Sequence, residues 1–176
     1  MRVSSDNQRP LILVALCGGG WHQETCRLLE RLDASAFRFA YVYGHCKGVH
    51  GAKRLATPHP GECYPMHYLG PTRKHPVRFV SNSARLLMSC VEAFSIVRKL
   101  RPSWILAVGT SMAVPLFAVG RLFGSRCCFI ESLTRVDELS LTGCILRRLG
   151  LPHRLYVQWP ELACGDSDLR YAGAVL

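Results

Sequence analysis

Acidic residues are scarce in this chain. Twelve Asp and Glu stand against 22 Lys and Arg, a formal net charge of +10. The scarcity is regional. From Ala34 to Val91 eight Lys or Arg meet a single acid, Glu62, whereas six of the twelve acids fall between Glu131 and Asp168. A basic amino-terminal half suits an anionic surface such as phospholipid headgroups, a lipid diphosphate or nucleic acid, although a solvated basic face would read the same way. Long apolar runs are also missing. None reaches the roughly 18 to 20 residues of a membrane span. The run Leu11 to Leu16 has neither the length nor the cleavage site of a signal peptide, and reads as a first buried strand. Paired cysteine spacing is absent too. Nine cysteines form no CxxC, and an odd, scattered set points to reduced thiols in a cytosol.

Two nucleotide-binding patterns are excluded as well. No Gly-Lys-Ser/Thr occurs, so there is no Walker loop. The run Cys17-Gly18-Gly19-Gly20-Trp21-His22-Gln23-Glu24 invites a dinucleotide reading, but Gln23 stands where a third small residue belongs. No acid follows Asp33 until Glu62, so none holds a ribose after the second strand. A metal site is weighed over His45, Cys46, His50, His59, Cys63 and His67. Their spacing matches no closed zinc pattern, and we expect no metal.

What remains is a globular chain, 49% hydrophobic and 19% charged over 176 residues, large enough to bury one core. Apolar runs alternate with helical periodicity, which predicts βα units around a mostly parallel sheet in a single α/β, Rossmann-like domain over residues 1–176. Strands are expected at Leu11–Leu16, Phe37–Tyr43, Trp104–Val108, Cys127–Ile130 and Leu155–Gln158, with a weaker one near Tyr64–Leu69. Helices are expected at Gln23–Leu32, Val77–Leu100, Met112–Leu122 and Leu139–Leu149. Residues 44–76, rich in Gly, Pro and His, read as a long, loosely structured basic insertion. In the second helix Leu86, Leu87, Cys90, Val91, Phe94, Val97 and Leu100 recur at helical spacing, with Arg78, Arg85, Arg98 and Lys99 at the ends and edge. Such a helix packs on a sheet, meets a membrane interface, or does both on different faces.

Polar clusters follow the buried strands directly, where open α/β sheets place their ligands. After the first strand, Gly18, Gly19 and Gly20 allow close approach to a ligand ahead of a helix amino terminus. His22 stands at that helix mouth. There the positive end of the dipole favours the neutral, proton-accepting imidazole, and capping or packing is its other possible role. Gly109-Thr110-Ser111 opens a third helix, which Thr110 or Ser111 caps, and the same turn's N–H groups, those of Thr110 and Ser111, are candidates to contact a diphosphate. Glu131-Ser132, with Arg135 close behind, follows the next strand. Arg135 is placed to pair with Glu131, which would hold the loop and weaken Glu131 as a base. Gln158-Trp159-Pro160-Glu161 follows the last expected strand, and Trp159 either stacks on a sugar or packs on the Pro160 turn.

Three of these motifs occur together and in order: Glu131-Ser132-x-x-Arg135, Glu138-Leu139-Ser140-Leu141-Thr142-Gly143 and Gln158-Trp159-Pro160-Glu161. With them the chain resembles the membrane-anchoring subunits of the two-chain UDP-GlcNAc transferase of dolichol-linked oligosaccharide synthesis, and their bacterial exopolysaccharide counterparts of the PssD type. The resemblance runs from Leu11 to Leu176 and is tightest after Ser83. It implies the amino-terminal, acceptor-binding half of a GT-B glycosyltransferase, working at the cytoplasmic face of a membrane on a sugar linked to a lipid diphosphate. It also implies no nucleic acid, no cofactor, and a UDP-sugar donor held mainly by a separate small subunit. In that family the glycine loop carries a histidine directly after the glycines, whereas Trp21 intervenes here. The resemblance therefore assigns proton transfer to His22, with Glu131 as competing base or hydroxyl binder. Acceptor or phosphate contacts fall to Gly18, Gly19, Gly20, Thr110, Ser111, Ser132 and Arg135, and partner or sugar contacts to Gln158, Trp159 and Glu161. The apolar tail from Tyr171 to Leu176 is expected to meet the partner or to pack back on its own sheet. A non-catalytic adaptor that recruits a transferase subunit to a membrane, and a free-standing nucleotide-binding domain, are the rival readings.

Overall fold

Seven strands form one parallel sheet in the order β3-β2-β1-β4-β5-β6-β7. The computed structural model describes residues 9–45, 56–67 and 76–175. Its strands are β1 (Leu11–Leu16), β2 (Arg38–His45), β3 (Gly61–His67), β4 (Trp104–Val108), β5 (Arg126–Ile130), β6 (Arg154–Val157) and β7 (Leu169–Tyr171). The helices are α1 (Gly20–Glu30), α2 (Pro76–Leu100), α3 (Ala113–Leu122), α4 (Leu141–Arg148) and the single turn α5 (Pro160–Ala163). From β1 the chain winds outward through β2 to β3, then crosses back to β4 on the other side of β1. The switch point therefore lies between β1 and β4, where the loops after the two strands diverge and leave a crevice.

The central strands are buried on both faces, which is why they read as unbroken apolar runs rather than alternating ones. Leu13, Ala15, Ile105, Ala107 and Phe129 face the layer of α2, α3 and α4. Ile12, Val14, Tyr41, Leu106 and Val108 face α1 through Leu29. Gly61 must be glycine at the sheet's edge, because a Cβ there would lie 2.4 Å from the backbone oxygen of Phe39.

Several elements differ from expectation. α1 begins at Gly20, three residues before Gln23, because Gly19 at φ +76° makes the turn that lets the helix start inside a glycine run of low helix propensity. β3 overlaps the weaker strand expected near Tyr64–Leu69 but begins earlier, at Gly61, inside the stretch read as a loosely structured insertion. Its edge position and mostly exposed residues weakened the apolar signal, and residues 46–55 and 68–75 lie outside those described. β7 was missed for a similar reason, since only Leu169 of its three residues is buried. It places part of the expected partner-binding tail in the sheet, and Val175 is buried beyond it.

α2 splits the expected apolar stripe into two neighbouring faces. Ser89, Ala93, Ile96 and Val97 are buried against the domain, while Leu86, Leu87, Val91 and Phe94 face outward. Among the described residues no helix is long and apolar enough to cross a membrane. Nor does any group of three His, Cys, Asp or Glu form a metal cage. His59 instead stacks on Phe39 and bonds the Leu29 carbonyl, and His67 pairs with Glu92 at 2.7 Å.

Burial pushes three weak acids of the sheet upward: Tyr41 to about 12, Cys127 to about 12 and Cys128 to about 11, from ordinary values of 10.0, 9.0 and 9.0. Above pH 9 the unfolded thiols ionise while the folded ones keep their protons. The unfolded state then binds fewer protons, and stability falls as pH rises. It is fully present below pH 9 and declines up to about 12, by about 1.4 kcal/mol per pH unit for each group titrating. Urea midpoints measured from pH 8 to 11.5 will show this fall, and Cys128→Ala will flatten its lower part. A level profile to pH 11 would contradict the burial argument.

Candidate active site at the carboxyl-terminal edge of the sheet

Because every strand is parallel, the loops after β1, β4, β5 and β6 emerge on one edge and meet there. Gly18, Gly19 and Gly20 lie exposed after β1, and a Cβ on any of them would find nothing within 4 Å. This loop stands open to a ligand. Next to it Trp21 packs against Gly109 of the turn after β4. A Cβ on Gly109, whose φ is +57°, would approach the indole to 2.8 Å and Ser132 Cβ to 3.1 Å. The tryptophan that separates the glycines from His22 thus seats the first turn of α1 on the neighbouring loop. His22 is half-exposed, with Nε2 3.5 Å from Cys26 Sγ one turn further on.

Glu24 joins three loops. Its Oε1 accepts from Ser132 Oγ at 3.0 Å. Its Oε2 accepts from the Leu133 amide at 3.1 Å and from Gln158 Nε2 at 2.8 Å. Gln158 is buried and fully used: Nε2 also donates to the Glu131 carbonyl, and Oε1 accepts from the Val175 amide at 2.9 Å. Trp159 Nε1 donates to the Leu133 carbonyl at 2.7 Å. Composition and spacing gave no hint of Glu24, because its partners lie 108 to 134 residues away.

Glu131 is fully buried. Oε1 accepts from the Ser132 amide at 3.1 Å, and Oε2 accepts from both the amide and the hydroxyl of Ser140 at 2.9 Å. Ser140 caps α4 by accepting from the Gly143 amide at 3.0 Å. A Cβ at Gly143 would meet Glu131 Oε2 at 2.4 Å, so this position admits only glycine beside the carboxylate. These contacts occupy both oxygens.

A model of the family described as oligosaccharide biosynthesis protein Alg14 like matches residues 12–175. The chain belongs to the Alg14-like family. Relatives described as UDP-N-acetylglucosamine transferase subunit ALG14 include the Mus musculus protein, 27% identical with 94% of this chain and 82% of that protein covered. The Yarrowia lipolytica protein of the same description is 28% identical, over 97% of this chain and 83% of its own length. Among solved structures, MurG of Acinetobacter baumannii superposes with a TM-score of 0.69 at 14% identity, over 94% of this chain and 46% of that one. The kitacinnamycin glycotransferase gives 0.59 at 12% identity, over 95% and 52%. The fold is thus the amino-terminal Rossmann-like half of a GT-B glycosyltransferase, and the chain spans about half the length of these structures.

In this Alg14-family chain the expected site residues separate into two groups. The glycine loop, Ser132, Gln158 and Trp159 come together at one edge, and His22 starts from the same loop with its ring beside Cys26. Glu131, expected as a competing base or hydroxyl binder, is instead buried with both oxygens taken by Ser132 and Ser140 donors. Its expected partner Arg135 is exposed and pairs with no carboxylate among the described residues; backbone and Ser140 donors take that place. Thr110 is buried, with Oγ1 accepting from the Met112 amide at 3.4 Å. That bond at the head of α3 is the capping contact expected of Thr110, although Met112 is the residue immediately before the helix. Ser111 and Glu161 remain at least partly exposed near this edge.

Substituting Glu131→Gln forces an amide N–H₂ against either the Ser132 donor or the two Ser140 donors. A buried mispaired donor costs about 1 to 3 kcal/mol. A corresponding loss in urea unfolding is expected, with a similar loss for Gly143→Ala. Unchanged unfolding midpoints for both variants would show that this loop does not depend on the buried carboxylate.

Proposed function

We propose that the chain is the acceptor-binding, membrane-associating subunit of a two-chain glycosyltransferase. It transfers a sugar, GlcNAc by the description of its relatives, from a UDP-sugar to a saccharide on a polyprenyl diphosphate. The match to the Alg14-like family over residues 12–175 carries this reading, because those relatives are described as transferase subunits. The open glycine loop and the meeting of four loops at the switch point support it. The second Rossmann-like half and most of the UDP-sugar contacts come from the partner.

In the reaction the acceptor hydroxyl attacks the anomeric carbon of the donor. The new C–O bond forms as the bond to the UDP oxygen breaks, and UDP leaves with that electron pair. The hydroxyl proton passes to a base, the role we assign to His22 in the first turn of α1. Gly18 to Gly20 let the acceptor's phosphates approach the backbone, with the positive end of α1 behind them. The exposed part of the tail, including Tyr171, is the partner contact that β7 leaves available.

Purified alone, the chain is expected to transfer no sugar, and mixing with its nucleotide-sugar subunit will restore turnover. In that complex His22→Ala will lower kcat by about 100-fold or more, the scale of a general base, with the fold intact. Near-normal turnover of this variant would favour the adaptor reading, and robust transfer by the isolated chain would refute the two-subunit assignment.

The outward face of α2 supplies the membrane contact. Leu87 is 66% and Val91 55% exposed, and Arg85, Arg98 and Lys99 are exposed on the same helix. Apolar side chains ringed by cations match the cytoplasmic interface of an anionic bilayer. Co-sedimentation with anionic vesicles is expected to exceed that with neutral ones and to weaken in high salt. Leu87→Glu with Val91→Glu will reduce it further. Equal binding to both vesicle types would remove the electrostatic part of this assignment.

A further inference from the structure

We propose that Glu24 is a positioning residue for the transfer reaction: its carboxylate fixes the rotation of α1, and so the presentation of His22, against the loops after β5 and β6. The inference rests on the reading of this edge as the active site. His22 and Glu24 are two residues apart on a helix, about 200° around its axis, so anchoring one side chain orients the other. Glu24 takes donors from Ser132, Leu133 and Gln158. Elsewhere α1 buries only Thr25 and Leu29, and the Thr25 hydroxyl bonds back within the helix to the Trp21 carbonyl at 2.7 Å. The beginning of α1 is therefore held to the functional edge by Trp21 packing on Gly109 and by the Glu24 carboxylate.

The anchor demands an acceptor at Oε2, where the Leu133 amide and the Gln158 N–H₂ both donate, while Oε1 takes the Ser132 hydroxyl. A carboxylate only accepts, and all three partners donate. An amide of the same shape keeps that acceptor only by turning its N–H₂ on Ser132 Oγ, which already accepts from the Thr134 amide, and it loses the charge that strengthens all three bonds. The anchor also reaches the tail, because Gln158 holds Val175 with the oxygen opposite the N–H₂ that meets Glu24. The orientation of that side-chain amide is thereby set from both ends.

The test compares wild type with Glu24→Gln and with Ser132→Ala, which removes one donor and leaves the other two. In the full chain, amide exchange at Leu133 should accelerate at least 10-fold in Glu24→Gln, while exchange at Val14 in β1 stays unchanged. In the complex with the nucleotide-sugar subunit, kcat per mole of folded complex should fall at least 10-fold at saturating acceptor. KM for UDP-GlcNAc should stay within twofold. Ser132→Ala should move kcat in the same direction by less. Unchanged Leu133 exchange, or full turnover by folded Glu24→Gln complex, overturns the proposal. Loss of folded complex with normal turnover in what remains also overturns it, since that is the signature of a stabilising role alone. If the wild-type complex transfers no sugar, the transferase reading fails, and the exchange result alone decides whether Glu24 anchors the loop.

Discussion

Two carboxylates, Glu24 and Glu131, hold the functional edge of this protein together. A parallel sheet delivers every strand to the same edge, and the connections there carry backbone groups that no sheet ladder satisfies. Glu131 takes the Ser132 and Ser140 donors and fixes the loop between β5 and α4. Glu24 ties that loop and β6 to the helix that follows the glycine run. Burying a carboxylate costs several kcal/mol unless donors replace its water. Here each carboxylate receives three, and among the described residues no buried side-chain polar atom lacks a partner. Charge buried in this way does not need a counter-ion, which explains why Arg135 can stay in solvent.

Much of this was legible in the sequence. Apolar runs bounded by Gly, Pro or polar clusters marked β1, β4, β5 and β6, because strands buried on both faces leave a continuous signal. β3 left a weak signal near Tyr64–Leu69 and β7 almost none, since edge strands bury few residues and their pairing comes from neighbours distant in the chain. The glycine loop, Ser132 and Gln158 were visible as polar residues closing a strand. Glu24 was not, because an acid one turn into a helix looks like any solvated residue until the fold brings Leu133 and Gln158 to it. Arg135 was misread because nearness in sequence stood in for contact. Gly143 has meaning only once Glu131 Oε2 is known to lie against it.

The molecule separates its tasks by location. One face of α2 completes the core while the adjoining face leaves Leu86, Leu87, Val91 and Phe94 uncovered, so one helix both stabilises the domain and offers a surface. Between Ala34 and Val91 the bases meet a single acid, whereas half of the acids fall between Glu131 and Asp168. That asymmetry accords with the proposed contacts to an anionic surface and to a second subunit.

The account centres on a half-site completed across the carboxyl-terminal edge of the sheet. An experimental structure of the chain with its nucleotide-sugar subunit and UDP tests it most directly. The partner should close over the loops after β1, β4, β5 and β6, with the nucleotide held by partner residues and its diphosphate facing Gly18 to Gly20 and Ser132. A partner seated at the opposite edge, where Arg126 and Arg154 begin their strands, or UDP held by this chain alone, would contradict it.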